Sequence, residues 1–343
     1  PIWPSWRAVN LRPAESSVAD EAAPAVAVLA GGVGAAKLLK GMVRVVPPAR
    51  VTAVVNTADD VVLHGLHVSP DLDTVTYTLA EAVNPETGWG LRDETWQAMD
   101  ALDRYGAPTW FRLGDRDLGT HLHRTGRLAA GAGLAEVTRE VTSAWDVEAI
   151  LLPMTEDPVA TMVTLDDDTP DGTEVGFQDY FVGLRHDVPI RSIRFAGAQH
   201  ARPGPGVVEA LTDASTVVVA PSNPIVSIGP LLAIPGMVDA LKARRSDVVA
   251  VSPIVDGTAL KGPADRMLRE LGHEPTVVGV ARLYREVAAT LVVDRADASL
   301  VDAVEAEGMA CVVADTVMTD VEVAIDLCRM LLATGRPPSG GGR

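Results

Sequence analysis

The chain alternates short apolar runs with longer stretches in which apolar residues recur every three or four positions. Uninterrupted apolar runs of roughly four to eight residues are typical of strands buried on both faces of a parallel sheet, whereas the second spacing is typical of helices. The predicted strands lie at residues 25–30, 51–55, 216–220, 248–251, 276–280, 290–293 and 310–313. The predicted helices lie at residues 35–43, 72–82, 92–104, 135–144, 237–243, 263–271 and 321–333. This alternation predicts a Rossmann-like α/β fold, with a mostly parallel sheet flanked by helices.

The same pattern predicts the domain organisation. Residues 25–334 are predicted to form a single α/β domain, because no linker or repeat interrupts them. No strong strand run occurs between residues 89 and 134, which predicts a helical cap at roughly 85–145, inserted over the active site. Residues 1–24 are predicted to be a poorly ordered extension, and residues 335–343, rich in Pro and Gly, a loose tail.

Composition narrows the classes of partner. The formal net charge of −17 disfavours nucleic acid and anionic membranes, because both carry negative charge. No apolar run reaches the roughly 18–20 residues that span a bilayer. The two cysteines, Cys311 and Cys328, have no metal-binding spacing and are expected to be reduced, which predicts a cytoplasmic protein.

A glycine-rich loop follows the first predicted strand and leads into a helix. It contains Gly31, Gly32 and Gly34, with Lys37 three residues further on. Glycines let backbone amides approach an anion, and a helix start adds partial positive charge, so the loop predicts binding of a nucleotide-type phosphate. The spacing is not that of a Walker A loop, and Lys37 occupies the third glycine position of the dinucleotide fingerprint. A tight turn that only packs strand against helix is the alternative.

Acidic residues follow the second predicted strand and precede the next helix. Asp59 and Asp60 come directly after residues 51–55, at the edge of the sheet where ligands bind, and paired carboxylates suit Mg²⁺. Asp71 and Asp73 would point to the same side of an extended segment, which suits a metal or a polyol. Otherwise Asp71 caps a helix and leaves Asp73 free to bind. The candidate catalytic and metal-binding residues are Asp59, Asp60 and Asp73.

Aromatic and cationic residues concentrate in the predicted cap. The aromatic residues of this region are Trp89, Trp96, Trp110 and Phe111. They are suited to stack on a flat ring while Arg112 and Arg116 supply positive charge. Taken singly, each tryptophan is better explained as a residue of the hydrophobic core. His121 and His123 are candidate acid–base groups, although a single histidine usually has no such role.

A proline-stiffened loop follows the predicted strand at residues 216–220. Its Ser222, Asn223 and Ser227 offer uncharged hydrogen-bonding groups that fit a nucleobase edge or phosphate oxygens. A structural turn is the alternative.

Several segments, taken in order, resemble the 2-phospho-L-lactate transferase family of coenzyme F-420 biosynthesis, which includes phosphoenolpyruvate transferases. They are VLAGGVGAAKLLKGM, VVNTADD, SPDLDTVTYTLA, WGLRDETW, LGDRDLGTH, LLPMTEDPV, GFQDYFVG, APSNPIVSIGPLLAIPGM and VSPIVDG. The resemblance extends from Val26 to about Thr319. Gly119 stands where an alanine is usual, and Arg112 where many archaeal relatives have lysine.

The resemblance implies a reaction and a set of ligands. The ribityl hydroxyl of the deazaflavin precursor 7,8-didemethyl-8-hydroxy-5-deazariboflavin would attack a guanosine diphosphate-linked three-carbon acid, and GMP would leave. It further implies Mg²⁺ and a homodimer. Asp73 and Arg112 match positions that contact the deazaflavin, with Trp89 and Asp115 as further candidates. The glycine loop and the loop that contains Ser222 match the region that holds the guanosine diphosphate.

No single residue of the sequence indicates which three-carbon acid the donor carries. The arginine-rich composition, with only four lysines, is typical of a GC-rich genome. For a protein from such a source, the family resemblance implies the phosphoenolpyruvate-derived donor rather than phospholactate or phosphoglycerate. Two alternative functions remain: a non-catalytic sensor of nucleotide sugars or dinucleotides that shares the glycine loop, and a nicotinamide dehydrogenase, which Lys37 disfavours.

Overall fold

The computed structural model describes residues 25–335. The predictions for residues 1–24 and 336–343 therefore lie outside the described part of the chain. The strands are β1 (Val26–Ala30), β2 (Val51–Val55), β3 (Val61–Leu63), β4 (Leu66–Val68), β5 (Ile150–Pro153), β6 (Ala160–Leu165), β7 (Glu174–Gly176), β8 (Ile190–Ala196), β9 (Thr216–Val219), β10 (Val248–Val251), β11 (Ile254–Val255), β12 (Thr258–Ala259), β13 (Thr290–Asp294) and β14 (Ala310–Ala314).

Helices connect and cover these strands. The α-helices are α1 (Gly32–Val45), α2 (Pro70–Leu79), α3 (Gln97–Arg104), α4 (Asp117–Ala129), α5 (Leu134–Ala144), α6 (Val207–Asp213), α7 (Gly229–Ala233), α8 (Met237–Lys242), α9 (Ala264–Glu270), α10 (Val277–Tyr284), α11 (Val301–Ala306) and α12 (Val321–Thr334). A short π-helix occupies Asp179–Gly183. Within the described residues, no helix is long and apolar enough to cross a membrane.

A seven-stranded parallel sheet forms the centre of the molecule, in the order β14-β13-β10-β9-β1-β2-β5. The chain builds outward from β1 to β2 and β5, and then returns to the other side of β1 and adds β9, β10, β13 and β14. The strand order thus reverses between β1 and β9, and the loops that leave these two strands diverge. Ligands of open α/β sheets bind in the crevice that such a reversal creates.

Both faces of this sheet are covered by helices, which confirms the predicted α/β class. Along β1, Ala27 and Leu29 point to one apolar core and Val28 to the other, as alternation along a strand requires. Helices α1, α2 and α12 contribute to the core on one face. Helices α6 to α11 contribute to the core on the opposite face. Strands buried on both sides explain why their sequences are apolar without a polar alternation.

The prediction of a strand at residues 276–280 is wrong, because these residues begin helix α10. The side chain of Thr276 caps the helix by accepting a hydrogen bond from the Gly279 N–H. Residues Val277 to Ala281 are all buried, so no polar face reveals the helical period. A short apolar run cannot distinguish a buried helix from a buried strand. The sequence prediction also missed β5, the edge strand beside β2.

Smaller units surround the opening of the crevice. Strands β7, β6 and β8 form an antiparallel sheet, and β3 and β4 form a hairpin. Helices α3, α4 and α5 lie between α2 and β5, within the range where the sequence predicts a cap. A small apolar cluster built around Val68, Met99 and Leu113 joins the hairpin to α3.

Candidate functional site

A cleft of about 560 Å³ lies at the carboxyl ends of the central strands. The predicted site residues that line it are Gly31, Gly32, Gly34, Lys37, Asp59, Asp73, Trp89, Arg112, Ser222, Asn223 and Ser227. The fold therefore brings together residues from the start of α1, the ends of β2 and β9, and the cap. Asp60 and Asp115 do not line the cleft.

The glycine loop packs closely against the loop that follows β9. A Cβ atom at Gly34 would lie 2.3 Å from the Pro221 carbonyl oxygen, so no larger residue fits there. Ser222 Oγ donates a hydrogen bond of 2.8 Å to the Gly31 carbonyl. Asn223 Oδ1 accepts hydrogen bonds from the Ile225 and Val226 N–H groups and holds the turn. The two loops thus have a packing role as well as a position on the cleft wall.

Two neighbouring carboxylates, the buried Asp59 and the half-buried Asp71, lie beside the glycine loop. Asn56 Nδ2 donates to Asp59 Oδ2 at 3.0 Å and to Asp71 Oδ2 at 3.1 Å, and the Gly32 N–H donates to Asp71 Oδ1 at 2.9 Å. Burial, and then the charge of Asp71, raise the pKa of Asp59 well above its ordinary value. Burial raises the pKa of Asp71 to about 6. Two carboxylates this close, both desolvated, favour a bound cation.

This pair fits Mg²⁺ better than the predicted set of Asp59, Asp60 and Asp73. Asp59 Oδ1 is buried and has no hydrogen-bond partner within residues 25–335. No cationic side chain of that range forms an ion pair with Asp59 or Asp71. Mg²⁺ prefers hard oxygen ligands and keeps several waters, so Asp59 and Asp71 would hold it at the cleft. Asp60 Oδ1 is also buried without a partner in that range, but Asp60 does not line the cleft, its Oδ2 accepts a hydrogen bond of 2.6 Å from Ser69 Oγ, and burial raises its pKa.

Asp73 belongs to a second polar cluster, formed between α2 and α4. Both terminal nitrogens of the buried Arg124 guanidinium donate to the Asp73 carboxylate. Residues 70–79 are helical, so Asp71 and Asp73 are separated by roughly 200° around the axis, and the expectation that they share one side is wrong. Asp71 lies in the first turn of α2 rather than capping it. Asp73 is therefore neutralised by Arg124, while Asp71 contacts the glycine loop.

His121 joins this second cluster. Its Nδ1 lies 3.7 Å from Asp73 Oδ2, and its Nε2 lies 3.4 Å from Asp117 Oδ2. Tyr77 donates a hydrogen bond of 2.6 Å to Asp117 Oδ1. Burial opposes the ionisation of Asp117, yet the hydrogen bond and charge of His121 lower its pKa below the ordinary value. The cluster thus presents a rigid set of hydrogen-bonding groups to the cleft.

The ligand atoms of Asp73, Asp117 and His121 lie within 4.8 Å of one another and form a second candidate metal set. Arg124 already neutralises Asp73, and a cation bound there would compete with that guanidinium. A nitrogen ligand also suits Mg²⁺ less well than oxygen does. The Asp59–Asp71 pair therefore provides the better fit for this ion.

Aromatic side chains form the wall on the cap side. Trp89 is 46% exposed and lines the cleft together with Phe111, Phe177 and Phe181. The last two rings stack with centroids 5.4 Å apart. Of the four aromatic residues predicted to stack on a ligand, only Trp89 and Phe111 line the cleft.

Arg112 is held in place by two neighbours. Its guanidinium carbon lies 4.8 Å from the centroid of the Trp96 ring, and its Nη2 donates to Asp100 Oδ1 at 3.1 Å. Asp115, predicted to contact the substrate, instead accepts hydrogen bonds from the Gln97 and Ala98 N–H groups at the start of α3. Its place in the structure is that of a helix-capping carboxylate.

Sequence reasoning named His121 as a candidate acid–base group but did not identify its cluster with Tyr77, Asp117 and Arg124. A signal was present, because Asp117, His121 and Arg124 recur at intervals of four and three residues and so share one helical face. A charged face pointing into the protein, rather than to solvent, can only be recognised once α4 is placed against α2.

Comparison with known proteins identifies the family of the chain. A family model described as 2-phospho-L-lactate transferase CofD matches residues 26–330. A phosphoenolpyruvate transferase of Streptomyces griseus subsp. griseus is 43% identical over 309 residues, covering 90% of this chain and 97% of that protein. One of Kitasatospora aureofaciens is 44% identical over 312 residues, covering 90% and 97%. One of Mycolicibacterium smegmatis is 41% identical over 316 residues, covering 89% and 96%.

A solved structure shares the fold. Protein BH3568 of Bacillus halodurans, a member of the UPF0052 family, matches with a TM-score of 0.59 at 18% identity, covering 90% of this chain and 99% of that one. This similarity supports the architecture alone. The extent of the family match and the identity to its curated relatives carry the assignment: the chain belongs to the 2-phospho-L-lactate transferase family and is a transferase of coenzyme F-420 biosynthesis.

Proposed function

We propose that the protein transfers a phospho-three-carbon-acid group from a guanosine diphosphate-linked donor to the terminal ribityl hydroxyl of 7,8-didemethyl-8-hydroxy-5-deazariboflavin. In this step the hydroxyl oxygen forms a bond to the phosphorus that carries the acid. The bond from that phosphorus to the bridging oxygen breaks, and GMP leaves with that oxygen. The hydroxyl proton passes to water.

The observation that carries this proposal is a single cleft with two chemically different walls. One wall contains the start of α1 and the Asp59–Asp71 pair, which suit a diphosphate and its metal. The other contains Trp89, Phe111 and Arg112, which suit a flat heteroaromatic ring with anionic character. Bringing acceptor and donor together in one desolvated site is the main contribution a protein makes to phosphoryl transfer.

Mg²⁺ is part of the proposal, with Asp59 and Asp71 as its protein ligands. When bound, it would neutralise charge on the phosphate oxygens as the leaving group departs. The residues of the chain orient the acceptor. The carboxylate of Asp73, fixed by Arg124, keeps lone pairs that can accept from the polyol. His121 lines the cleft beside it and directs Nε2 towards Asp117 Oδ2 at 3.4 Å, which helps to fix the polar groups of this wall.

The donor is proposed to be the phosphoenolpyruvyl form. The curated relatives at 41–44% identity carry the name phosphoenolpyruvate transferase, in agreement with the preference that composition suggests. The 2-phospholactyl donor differs from it by two hydrogen atoms and is the closest competitor.

The test is a transfer assay with the purified protein, the deazaflavin precursor and Mg²⁺. Each guanylyl donor is supplied separately, carrying phosphoenolpyruvate, 2-phospholactate or 3-phosphoglycerate, and the products are weighed by mass spectrometry. We expect the dehydro adduct and one equivalent of GMP with the first donor, at a rate well above that with the others. Absence of transfer with all three donors would exclude the proposal, and nucleotide-sugar binding without deazaflavin binding would favour the sensor instead.

A further inference from the structure

The four lysines of the chain fall into two groups. Lys40 and Lys242 lie outside the cleft and pair with acidic side chains, Lys40 with Glu81 at 4.0 Å and Lys242 with Glu286 at 2.5 Å. Lys37 and Lys261 line the cleft, and neither forms an ion pair with any residue in the range 25–335. In a chain with 46 acidic and 29 basic residues, two cations without an acidic partner on one cleft are unusual.

Each of these two ammonium groups makes a single hydrogen bond to a backbone carbonyl. Lys37 Nζ donates to Met318 O at 3.1 Å, and Lys261 Nζ donates to Thr87 O at 3.1 Å. An ammonium group has three donors, so each keeps two for a ligand. Burial, and then the charge of Lys261, lower the pKa of Lys37, which shows that the two charges act on each other. An anion between them would relieve this repulsion.

The pair flanks the start of α1. A Cβ atom at Gly88 would lie 3.0 Å from Val33 Cγ1 and 3.2 Å from Lys261 Nζ, so this ammonium group is close to the glycine loop. Lys37 lies one turn further along α1. Any anion held at the start of this helix therefore has Lys37 and Lys261 beside it.

The surroundings of the pair suit a short carbon skeleton. Ala259 and Leu260 precede Lys261 in the chain, and Val317 precedes Met318, whose carbonyl accepts from Lys37; all four line the cleft. Under the proposed function, the start of α1 and Mg²⁺ account for the diphosphate of the donor, and Arg112 is already paired with Asp100. The carboxylate of the three-carbon acid is the donor anion that still lacks a partner. Two ammonium groups next to apolar side chains complement an acid of this size.

We propose that Lys37 and Lys261 bind the carboxylate of the three-carbon acid and so select donors whose acid end is anionic. This inference rests on the proposed function and adds a specificity determinant to it. Lys261 reaches the site from the loop between β12 and α9 and completes the subsite.

The test measures equilibrium binding and transfer kinetics of the phosphoenolpyruvyl donor with Lys261→Gln. We expect its Kd and KM to rise about ten- to hundredfold, the usual loss for a charge-assisted hydrogen bond, with a smaller change in kcat. Lys261→Arg should restore much of the affinity. A glutamine amide can still donate to Thr87 O, which preserves the loop contact. Lys242→Gln removes one lysine far from the cleft and is the matched control.

A second donor separates carboxylate binding from phosphate binding. In this analogue the carboxylate is replaced by a methyl group, and Lys261→Gln and the unaltered protein should bind it equally. The inference would be overturned if Lys261→Gln bound the carboxylated donor as tightly as the unaltered protein does. It would also be overturned if the substitution weakened binding of the methyl analogue as much as it weakened binding of the carboxylated donor. A protein that transfers no group at all refutes the proposed function, whereas one that transfers normally but ignores Lys261→Gln refutes only this subsite.

Discussion

The carboxylates around the cleft show how neighbours give one residue type different roles. The buried Asp59 and the half-buried Asp71 lie next to each other without an ion-pair partner in the described chain, so their ionisation is unfavourable until a cation binds. Asp73 has a buried guanidinium as its partner. Asp115 lies at the surface, where hydrogen bonds from Thr95 and the start of α3 lower its pKa. The electrostatic environment, rather than the residue type, separates metal ligand, structural ion and helix cap.

The raised pKa values of the pair predict a pH-dependent stability in the absence of metal. A carboxyl group whose pKa is higher in the folded state stabilises the fold while protonated, and this contribution is lost as the pH rises. For Asp71 the loss falls between pH 3.8 and about 6. We expect Asp59→Asn to raise Tm at pH 7.5 without Mg²⁺, by about 2–4 °C for each kcal/mol recovered.

Mg²⁺ provides the control for this prediction. It should raise the Tm of the unaltered protein at pH 7.5, raise it much less at pH 5, and leave Asp59→Asn unchanged, because the substitution removes a ligand. Thermal unfolding followed by circular dichroism measures all three. An equal Mg²⁺ effect on both proteins would show that the ion binds elsewhere.

At the scale of elements, helix α2 connects the two halves of the site. Its first turn places Asp71 against the glycine loop of α1 and Asp73 against α4, and Tyr77, further along the helix, also contacts α4. Helix α1 on the nucleotide side and helix α4 on the cap side are thus joined through α2. Any rotation of α2 would disturb both the candidate metal ligands and the acceptor wall.

The buried ion pair between α2 and α4 gives a prediction about stability. Arg124→Leu should lower the free energy of unfolding by about 3–5 kcal/mol, because it leaves the Asp73 charge buried without a partner. The double variant Asp73→Asn/Arg124→Leu should be more stable than the single variant Arg124→Leu, because it leaves no buried charge without a partner. Urea unfolding of the unaltered protein, the two single variants and the double variant measures the coupling energy between Asp73 and Arg124. Arg295→Leu, which breaks the exposed pair with Asp315, should cost no more than about 1 kcal/mol.

At the scale of the whole molecule, the chain has a net charge of −17, and the proposed donor is itself anionic. In the proposal, the two cleft lysines, the start of α1 and a divalent cation would attract this donor over short distances, while the net charge of the chain would repel it. The proposed homodimer and the cytoplasmic location remain predictions. The strand reversal between β1 and β9 places the attractive groups in one crevice, away from most of the acidic surface.

This balance predicts how salt affects association. Raising NaCl from about 20 to about 150 mM shortens the Debye length to about 8 Å, which screens the distant acidic surface more than the contacts inside the cleft. The association rate constant of the guanylyl donor should therefore increase, measured by stopped-flow fluorescence at fixed free Mg²⁺. A rate that falls with salt would show that the cleft cations dominate the long-range field. KCl in place of NaCl controls for specific ion effects.

The sequence by itself determined the class of fold, most of the central strands, the family and the loops that line the cleft. These features depend on local apolar runs and on motifs that are contiguous in the chain. The same reasoning failed at residues 276–280, where a fully buried helix has no polar face, and it missed β5. Only the tertiary structure decided which carboxylates meet, because the helical turn at Pro70 separates Asp71 from Asp73. It also brought Arg124 to Asp73 and Lys261 to the glycine loop, contacts between residues far apart in the chain that no local pattern encodes.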